Sequence, residues 1–195
     1  LVALTAETPL PDDPTTARAV ETTRQRLAEI DALASAGRIA AAETAAEQTL
    51  AQAHPLGFLP LIAEAALARG TLALEQGRGQ AADAALSLAL RAGIEGRADR
   101  TAAEALVRRH FARGVLLGQL AQTTAEQDLV AAHTARFPAD GALRWLADNN
   151  RGAVAYRAHD FPRARQFFTA ALTVTTGPTP LDLARTRINL GLLEA

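Results

Sequence analysis

Residues Asn149–Gly177 read NNRGAVAYRAHDFPRARQFFTAALTVTTG. Small residues stand 12 and 19 positions after Gly152, at Ala164 and Ala171, and the large Phe168 stands between them at 16. Small side chains let two helices approach closely, and a large one between them fills the remaining gap. The stretch therefore predicts a tightly packed helical hairpin that turns near His159-Asp160-Phe161.

The same spacing occurs elsewhere in the chain. Counting 12, 16 and 19 positions from Gly70 gives Ala82, Leu86 and Ala89. Glycines hold one place on every second predicted helix, the first helix of each pair, and their positions differ by 44, 38 and 39: Gly70, Gly114, Gly152 and Gly191. Matching at several offsets indicates an internal repeat with a period of about 40 residues.

Two units depart from this spacing. Ile30 takes the glycine place of a first unit, with Ala42 twelve positions later. The Gly114 unit is degenerate, because Glu126 and His133 stand at its two small-residue places. Both units are still counted as helix pairs of the repeat.

From about Thr15 onwards the sequence predicts one helix after another and no convincing alternating strand. Gly and Pro turn signals separate the helices, and Thr123 or Thr124 is expected to be the N-cap of the sixth. The predicted spans are Thr16–Ala34, Ile39–Ala53, Pro60–Gln76, Gln80–Ala92, Asp99–Leu120, 123 or 124 to before Pro138, Ala142–Ala158, Pro162–Thr175, and Leu181 to the end. Residues 1–14, with three prolines, predict an extended linker.

The paired helices and their spacing resemble the tetratricopeptide repeat, in a form longer than the usual length of about 34 residues. The resemblance covers residues 15–195 and implies an all-α, right-handed superhelical solenoid of antiparallel helix pairs. It implies about four pairs and the first helix of a fifth. Because the sequence stops inside that helix, starts at Leu1 and contains no Met, we expect it to be a piece of a longer protein.

A second resemblance is to the C-terminal region of myxobacterial-type bacterial serine/threonine protein kinases. It rests on Pro9-Leu10-Pro11, on Arg24 to Leu33, on the turn Ala36-Gly37-Arg38 and on the Ala-rich segment 63–70. It implies a regulatory or partner-binding region of such a kinase. Two alternatives stay open: the interaction region of a transcriptional activator or signalling ATPase, and the recognition arm of a protease.

Composition excludes several function classes. The net charge of -1, with both signs interspersed, argues against a nucleic-acid partner. The absence of Lys excludes a kinase catalytic domain, which needs one for the nucleotide phosphates. The absence of Cys fits a reducing compartment, so we expect a cytoplasmic location. The most apolar stretch, Leu56–Ala68, is too short to cross a bilayer, so we expect no membrane insertion.

No motif of the sequence predicts catalysis. Asp160-Phe161-Pro162 lacks the glycine of the kinase motif, and Gly77-Arg78-Gly79 follows a predicted helix where a dinucleotide-binding loop follows a strand. The four histidines have no metal-ligand spacing. We therefore expect no catalytic residue, no cofactor and no metal.

The resemblance to tetratricopeptide repeats instead implies a peptide-binding groove. Asn150 and Asn189, one repeat period apart, fall at a place that faces the groove in that family, where the amide bonds an extended peptide backbone. Arg185 lies four residues before Asn189 and so shares its face. Arg185, Arg157 and Arg108 would supply positive charge, so we expect the groove to bind an extended or carboxylate-bearing peptide. The alternative is that all five are solvated residues on ordinary helix faces, and self-association is a further expectation.

Overall fold

The computed structural model describes residues 8–194, which form nine α-helices and no strand. The all-α class predicted from the sequence is therefore confirmed. The helices are α1 (Pro14–Ser35), α2 (Ile39–Leu56), α3 (Leu59–Glu75), α4 (Gly79–Glu95), α5 (Asp99–Phe111), α6 (Leu120–Ala135), α7 (Gly141–Arg157), α8 (Phe161–Leu172) and α9 (Pro180–Gly191), and a π-helical turn, Ala112–Leu116, continues α5.

The chain divides into two compact units between Ala105 and Leu106, inside α5. In the first unit α3 packs against α1, α2 and α4. In the second, α7 packs against α6, α8 and the π-helical turn, and α9 packs against α8.

The repeat offset between the glycine and the large residue corresponds to a packed contact in each unit. A Cβ atom on Gly70 would lie 2.6 Å from Leu86 Cγ, and one on Gly152 would lie 2.6 Å from Phe168 Cδ1. Both large side chains are buried. Glycine fits these two places because a Cβ atom would overlap the Leu86 or Phe168 side chain that lies against it.

The α1–α2 pair has the two sizes reversed. Ile30 takes the place of the glycine, and Ala46, sixteen residues later, takes the place of the leucine or phenylalanine. Both are buried in one apolar cluster together with Ala42. In this pair the first helix supplies the large side chain and the second helix supplies the small one. Cores tolerate such an exchange well when the total side-chain volume is similar.

Four connections between helices use the same turn. In each, the middle residue has a positive φ: 72° at Gly37, 67° at Gly77, 55° at Arg97 and 59° at His159. The next amide donates to a carbonyl five residues back, as from Arg78 to Ala73 (2.9 Å) and from Asp160 to Ala155 (2.9 Å). This is the Schellman ending of a helix, which reverses the chain within three residues.

The predicted boundary between the fifth and sixth helices is wrong. The helical ladder stops at Leu116, and Gly118, with φ 68°, breaks the chain before α6 begins at Leu120. The Thr123 and Thr124 hydroxyls donate back to the Leu120 carbonyl at 3.0 and 2.9 Å. They therefore lie inside α6 and are not its N-cap.

The second helix also runs further than predicted, because Pro55 is accommodated in its last turn and the left-handed Gly57 follows it. Of the predicted linker, residues 1–7 lie outside the described part. The hydroxyl of Thr8 donates to the Gly96 carbonyl at 2.5 Å.

Candidate interaction surface

A polar network joins α7 and α9 in the second unit. The Trp145 indole Nε1 donates to the Thr186 hydroxyl (3.0 Å), which donates to Asn149 Oδ1 (3.0 Å). The Asn189 amide Nδ2 donates to the same Oδ1 at 3.3 Å. Trp145 and Thr186 are buried, so their polar atoms need these partners. The network fixes the position of α9 on α7.

Asn150 is not open to a peptide. Its side chain is 6% exposed, and its Nδ2 donates to the Val107 carbonyl at 3.3 Å. The structure therefore corrects its predicted place in a groove: it is a structural amide between α5 and α7. Asn149, which the sequence reasoning passed over, is the residue that meets Asn189. The sequence does show two adjacent asparagines, Asn149 and Asn150. A spacing of 39 residues from Asn189 selects Asn150, and a spacing of 40 selects Asn149, which is the one that faces α9.

The predicted arginines lie in different settings. Arg157 is the last residue of α7 and Arg185 lies in the middle of α9, and both are exposed. Arg108 is half-buried in α5 and interacts with other residues of the chain. Arg157 and Arg185 are thus the predicted cations that are open to a partner.

Arg185 lies within an exposed apolar surface. Leu181 is 60% exposed and Leu192 is 54% exposed, and both share a face with Arg185 through their spacing of four and seven residues. We name these three residues the Arg185 side of α9. A guanidinium flanked by apolar side chains can bind a carboxylate while its neighbours pack against the rest of a peptide.

Charged side chains lie partly buried between the π-helical turn, α6 and α7. Glu126 forms ion pairs through its Oε1 with Arg109 Nη2 (3.6 Å) and Arg113 Nη1 (3.2 Å). On α7, Arg151 lies 3.6 Å from Asp148 and places its guanidinium carbon 4.1 Å from the centre of the Phe167 ring. Burial raises the pKa of Asp148, against the opposing effect of Arg151, and burial lowers the pKa of Arg151.

His110 is fully buried beside these arginines. Neither ring nitrogen has a hydrogen-bond partner among residues 8–194. Burial lowers its pKa to about 4, and the positive charges of Arg151 and Arg109 act in the same direction. The sequence left both a surface and an interhelical place open for the histidines and did not distinguish them for His110. The imidazole is neutral in the folded chain at neutral pH.

Metal ligands do not cluster in the part of the chain that the structure describes: no group of three or more His, Asp or Glu side chains there is arranged to hold a metal ion. None of the helices in that part combines the length and apolar character needed to span a membrane.

Comparison with known proteins gives one kind of similarity. No protein-family model matches the chain, and no curated protein matches it. Among solved structures, the crystal structure of BtubC (BKLC) from P. vanneervenii is similar, with a TM-score of 0.66 and 20% sequence identity. The similarity covers 92% of this chain and 80% of that chain. At this identity it shows a shared helical fold.

Proposed function

We propose that the chain is a noncatalytic protein-interaction scaffold, built as a tetratricopeptide-like solenoid of helix pairs. The observation that supports this most is the contact that recurs at one sequence offset, between Gly70 and Leu86 and between Gly152 and Phe168. Stacked helical hairpins of this kind expose one row of helices as a continuous surface for other proteins.

Contacts at the repeat period support the same proposal. Arg24 of α1 makes a bidentate pair with Glu64 of α3, at 2.8 and 2.9 Å, across a separation of 40 residues. In the second unit Asn189 meets Asn149, also 40 residues apart. Side chains one period apart therefore meet between successive first helices in each unit, as in a repeat array.

The proposed ligand is an extended or carboxylate-bearing peptide. Arg157 and Arg185 supply exposed positive charge, and neither has an ion-pair partner within the described range. Charge-assisted hydrogen bonds from a guanidinium to a carboxylate are short and directional. Asn189 is a positioning residue, because its bond to Asn149 holds the helix that carries Arg185.

The proposed setting is the C-terminal regulatory region of a bacterial serine/threonine protein kinase. A transcriptional activator, a signalling ATPase or a protease would use such a scaffold in the same way. The gene sequence upstream of Leu1 distinguishes them. A glycine-rich loop followed by a catalytic-loop Asp and Asn identifies a kinase, a P-loop identifies an ATPase, and a Cys-His pair identifies a protease.

The binding test uses the full chain and a displayed library of unstructured peptides with internal or terminal carboxylates. For the peptides selected, the double variant Arg157→Glu and Arg185→Glu should weaken binding at least about tenfold, the effect of losing one charge-assisted contact. The matched control reverses Arg38 and Arg91, which are exposed in the first unit, and should leave affinity unchanged. Equal loss in both variants, or selection of no peptide, contradicts the proposal.

A further inference from the structure

Three aromatic rings meet at the turn between α7 and α8. The centre of the Phe161 ring lies 5.8 Å from the centre of the Tyr156 ring, with the two planes tilted by 55°. It lies 5.8 Å from the centre of the His159 ring, in an edge-to-face arrangement at 88°. Although its neighbours hold the ring in place, Phe161 is 47% exposed. We name Tyr156, His159 and Phe161 the aromatic turn.

Two residues of the aromatic turn are unfavourable for stability where they stand. His159 has a φ of 59°, a left-handed conformation that costs free energy for any residue with a Cβ atom, and Gly37 and Gly77 hold the same place in other turns. Phe161 opens α8 with a ring that stays partly in water, where it contributes less to stability than a buried ring does. Departures from local preference of this kind are expected at functional sites.

The exposure of this turn does not depend on where the sequence ends. The α1–α2 turn is the corresponding connection of the first unit, and there α3, the first helix of the next pair, packs against both α1 and α2. Gly37 and Arg38 of that turn are exposed all the same, and Ile39, at the place of Phe161, is half-buried and not enclosed. A turn of this array therefore keeps its access to solvent when a further helix packs beside it.

Positive charge flanks the aromatic turn. Residues 156–164 include Arg157 and Arg163, which are both exposed, and one acid, Asp160. Arg163 lies 3.5 Å from Asp160 in an exposed pair that another carboxylate can join or replace. Exposed rings can bind a cation over their faces, but the two arginines would repel one. They would attract carboxylates, while the Phe161 ring offers an aromatic contact.

We propose that the aromatic turn binds an acidic peptide segment in which one aromatic side chain lies between carboxylates. The aromatic side chain packs against the Phe161 ring, and the carboxylates pair with Arg157 and Arg163. The inference deepens the proposed function and rests on it, because Arg157 belongs to both. It adds an aromatic residue to the ligand, which binding at the Arg185 side of α9 does not require.

The probe is a fluorophore-labelled peptide, Gly-Ser-Asp-Glu-Trp-Glu-Asp-Ser-Gly, which is titrated with the full chain and followed by fluorescence anisotropy. Binding should be saturable. Amides between residues 157 and 163 should gain protection from hydrogen exchange, while those of the α1–α2 turn should not. A peptide with Ala in place of Trp should bind about tenfold more weakly, the usual effect of removing an aromatic anchor.

A third peptide, with Lys in place of every acid, tests the sign of the charge. It should not bind, because the arginines repel it. Binding of the Lys peptide as tight as that of the Trp peptide with acids overturns the proposal, since the rings would then be taking a cation. Protection confined to helices other than α7 and α8 overturns it as well.

Variants of the protein test the location. Phe161→Ala should lower affinity for the acidic Trp peptide about tenfold. Its matched control, Leu129→Ala, truncates a side chain of the same unit that is also 47% exposed and should leave affinity unchanged. Arg163→Glu should weaken binding about tenfold, whereas Arg38→Glu, exposed in the α1–α2 turn, should not. Equal effects of a variant and its control overturn the proposal.

His159→Gly separates binding from folding. It removes the ring that lies edge-to-face against Phe161, so affinity should fall about threefold. The melting temperature should not fall, because the left-handed strain is removed at the same time. A residue that served the fold alone would not show lower affinity with undiminished stability. Unchanged affinity in His159→Gly overturns the proposal.

The two proposals can fail separately. Arg185→Glu should leave binding of the acidic Trp peptide unchanged. If the peptide library yields only carboxylate peptides whose binding survives Phe161→Ala, and the Trp peptide does not bind, the inference is overturned and the proposed function stands. If the Trp peptide binds through Phe161 and no library peptide depends on Arg185, the inference stands and the proposed role of Arg185 is overturned.

Discussion

Two hairpins of the second unit hold a glycine at the same repeat place but pack it differently. In the α7–α8 pair, Gly152 meets Phe168, and Ala164 lies fully buried next to it. In the pair formed by the π-helical turn and α6, Gly114 faces Val154 of α7 instead, whose Cγ2 would lie 2.6 Å from an added Cβ. Gly152 therefore lies against α8, the second helix of its own pair. Gly114 lies against α7, which belongs to the next pair.

The alanine place explains the difference. Twelve residues after Gly114 stands Glu126, whose carboxylate is held by Arg109 and Arg113. A carboxylate and two guanidiniums occupy more space than the methyl group of Ala164, so this place is filled by charged side chains where α7–α8 has a small apolar one. The period of the repeat therefore persists while the packing changes from apolar contact to ion pairs.

Removing the large side chain of the apolar pair should have the largest effect. Phe168→Ala leaves a cavity at Gly152 and should lower the free energy of unfolding by about 4 kcal/mol. Val130→Ala, at the corresponding place of α6, should cost about 2 kcal/mol because a smaller side chain is lost. Urea denaturation of the two variants measures the difference. Equal losses would contradict the expected difference between the two places.

Acid should destabilise the region of His110. Its pKa is about 4 in the folded chain against 6.5 when unfolded, so the unfolded state takes up a proton first as the pH falls. Stability is therefore retained above pH 6.5 and lost between pH 6.5 and about 4, by about 3 kcal/mol in total. His110→Leu should remove this part of the pH dependence. A parallel pH profile in the variant would show that the lowered pKa of His110 is not its source.

The ion pairs of Glu126 should contribute less. Glu126→Ala leaves two half-buried guanidiniums without their shared carboxylate and should lower the free energy of unfolding by about 1 kcal/mol, since the pairs are partly solvated. The loss should shrink in about 1 M salt, where such pairs are screened. A higher free energy of unfolding for Glu126→Ala would mean that this hairpin packs as α7–α8 does when it carries alanine at that place.

Backbone strain at the α7–α8 turn should give the smallest change. His159 has φ 59° at a place that Gly37 and Gly77 occupy in other turns. His159→Gly should raise the free energy of unfolding by about 0.5 kcal/mol, because relief of strain is partly offset by the greater freedom of glycine when unfolded. A thermal melt that shows a lower midpoint would mean that the imidazole makes a needed contact, for instance with Phe161, 5.8 Å away.

Helical hairpins could be predicted from the sequence, because their packing depends on the spacing of residues within one short segment. The offsets from Gly152 to Ala164 and Phe168 identify a helical hairpin because both helices carry the pattern. The same reasoning could not place Asn150, since an amide that faces a neighbouring carbonyl looks the same in sequence as one that faces solvent.

The π-helical turn and the burial of His110 were also beyond prediction. A π-helical turn adds a residue without any characteristic sequence. In this chain it contains Gly114, the residue that approaches Val154 closely. The histidine is buried near Arg151 of α7, a residue distant in sequence, and its immediate neighbours in the chain lie on other faces of α5. Tertiary contacts decide both features, and local pattern does not report them.

Each apolar hairpin is defined by two places, sixteen residues apart, whose sizes complement each other. A double-mutant cycle tests this by giving the α7–α8 pair the sizes found at Ile30 and Ala46. Gly152→Ile alone and Phe168→Ala alone should each destabilise the chain. Together they should recover about 2 kcal/mol relative to the sum of the separate losses, measured by urea denaturation. Losses that simply add, to within about 0.5 kcal/mol, would contradict the complementarity of the two places.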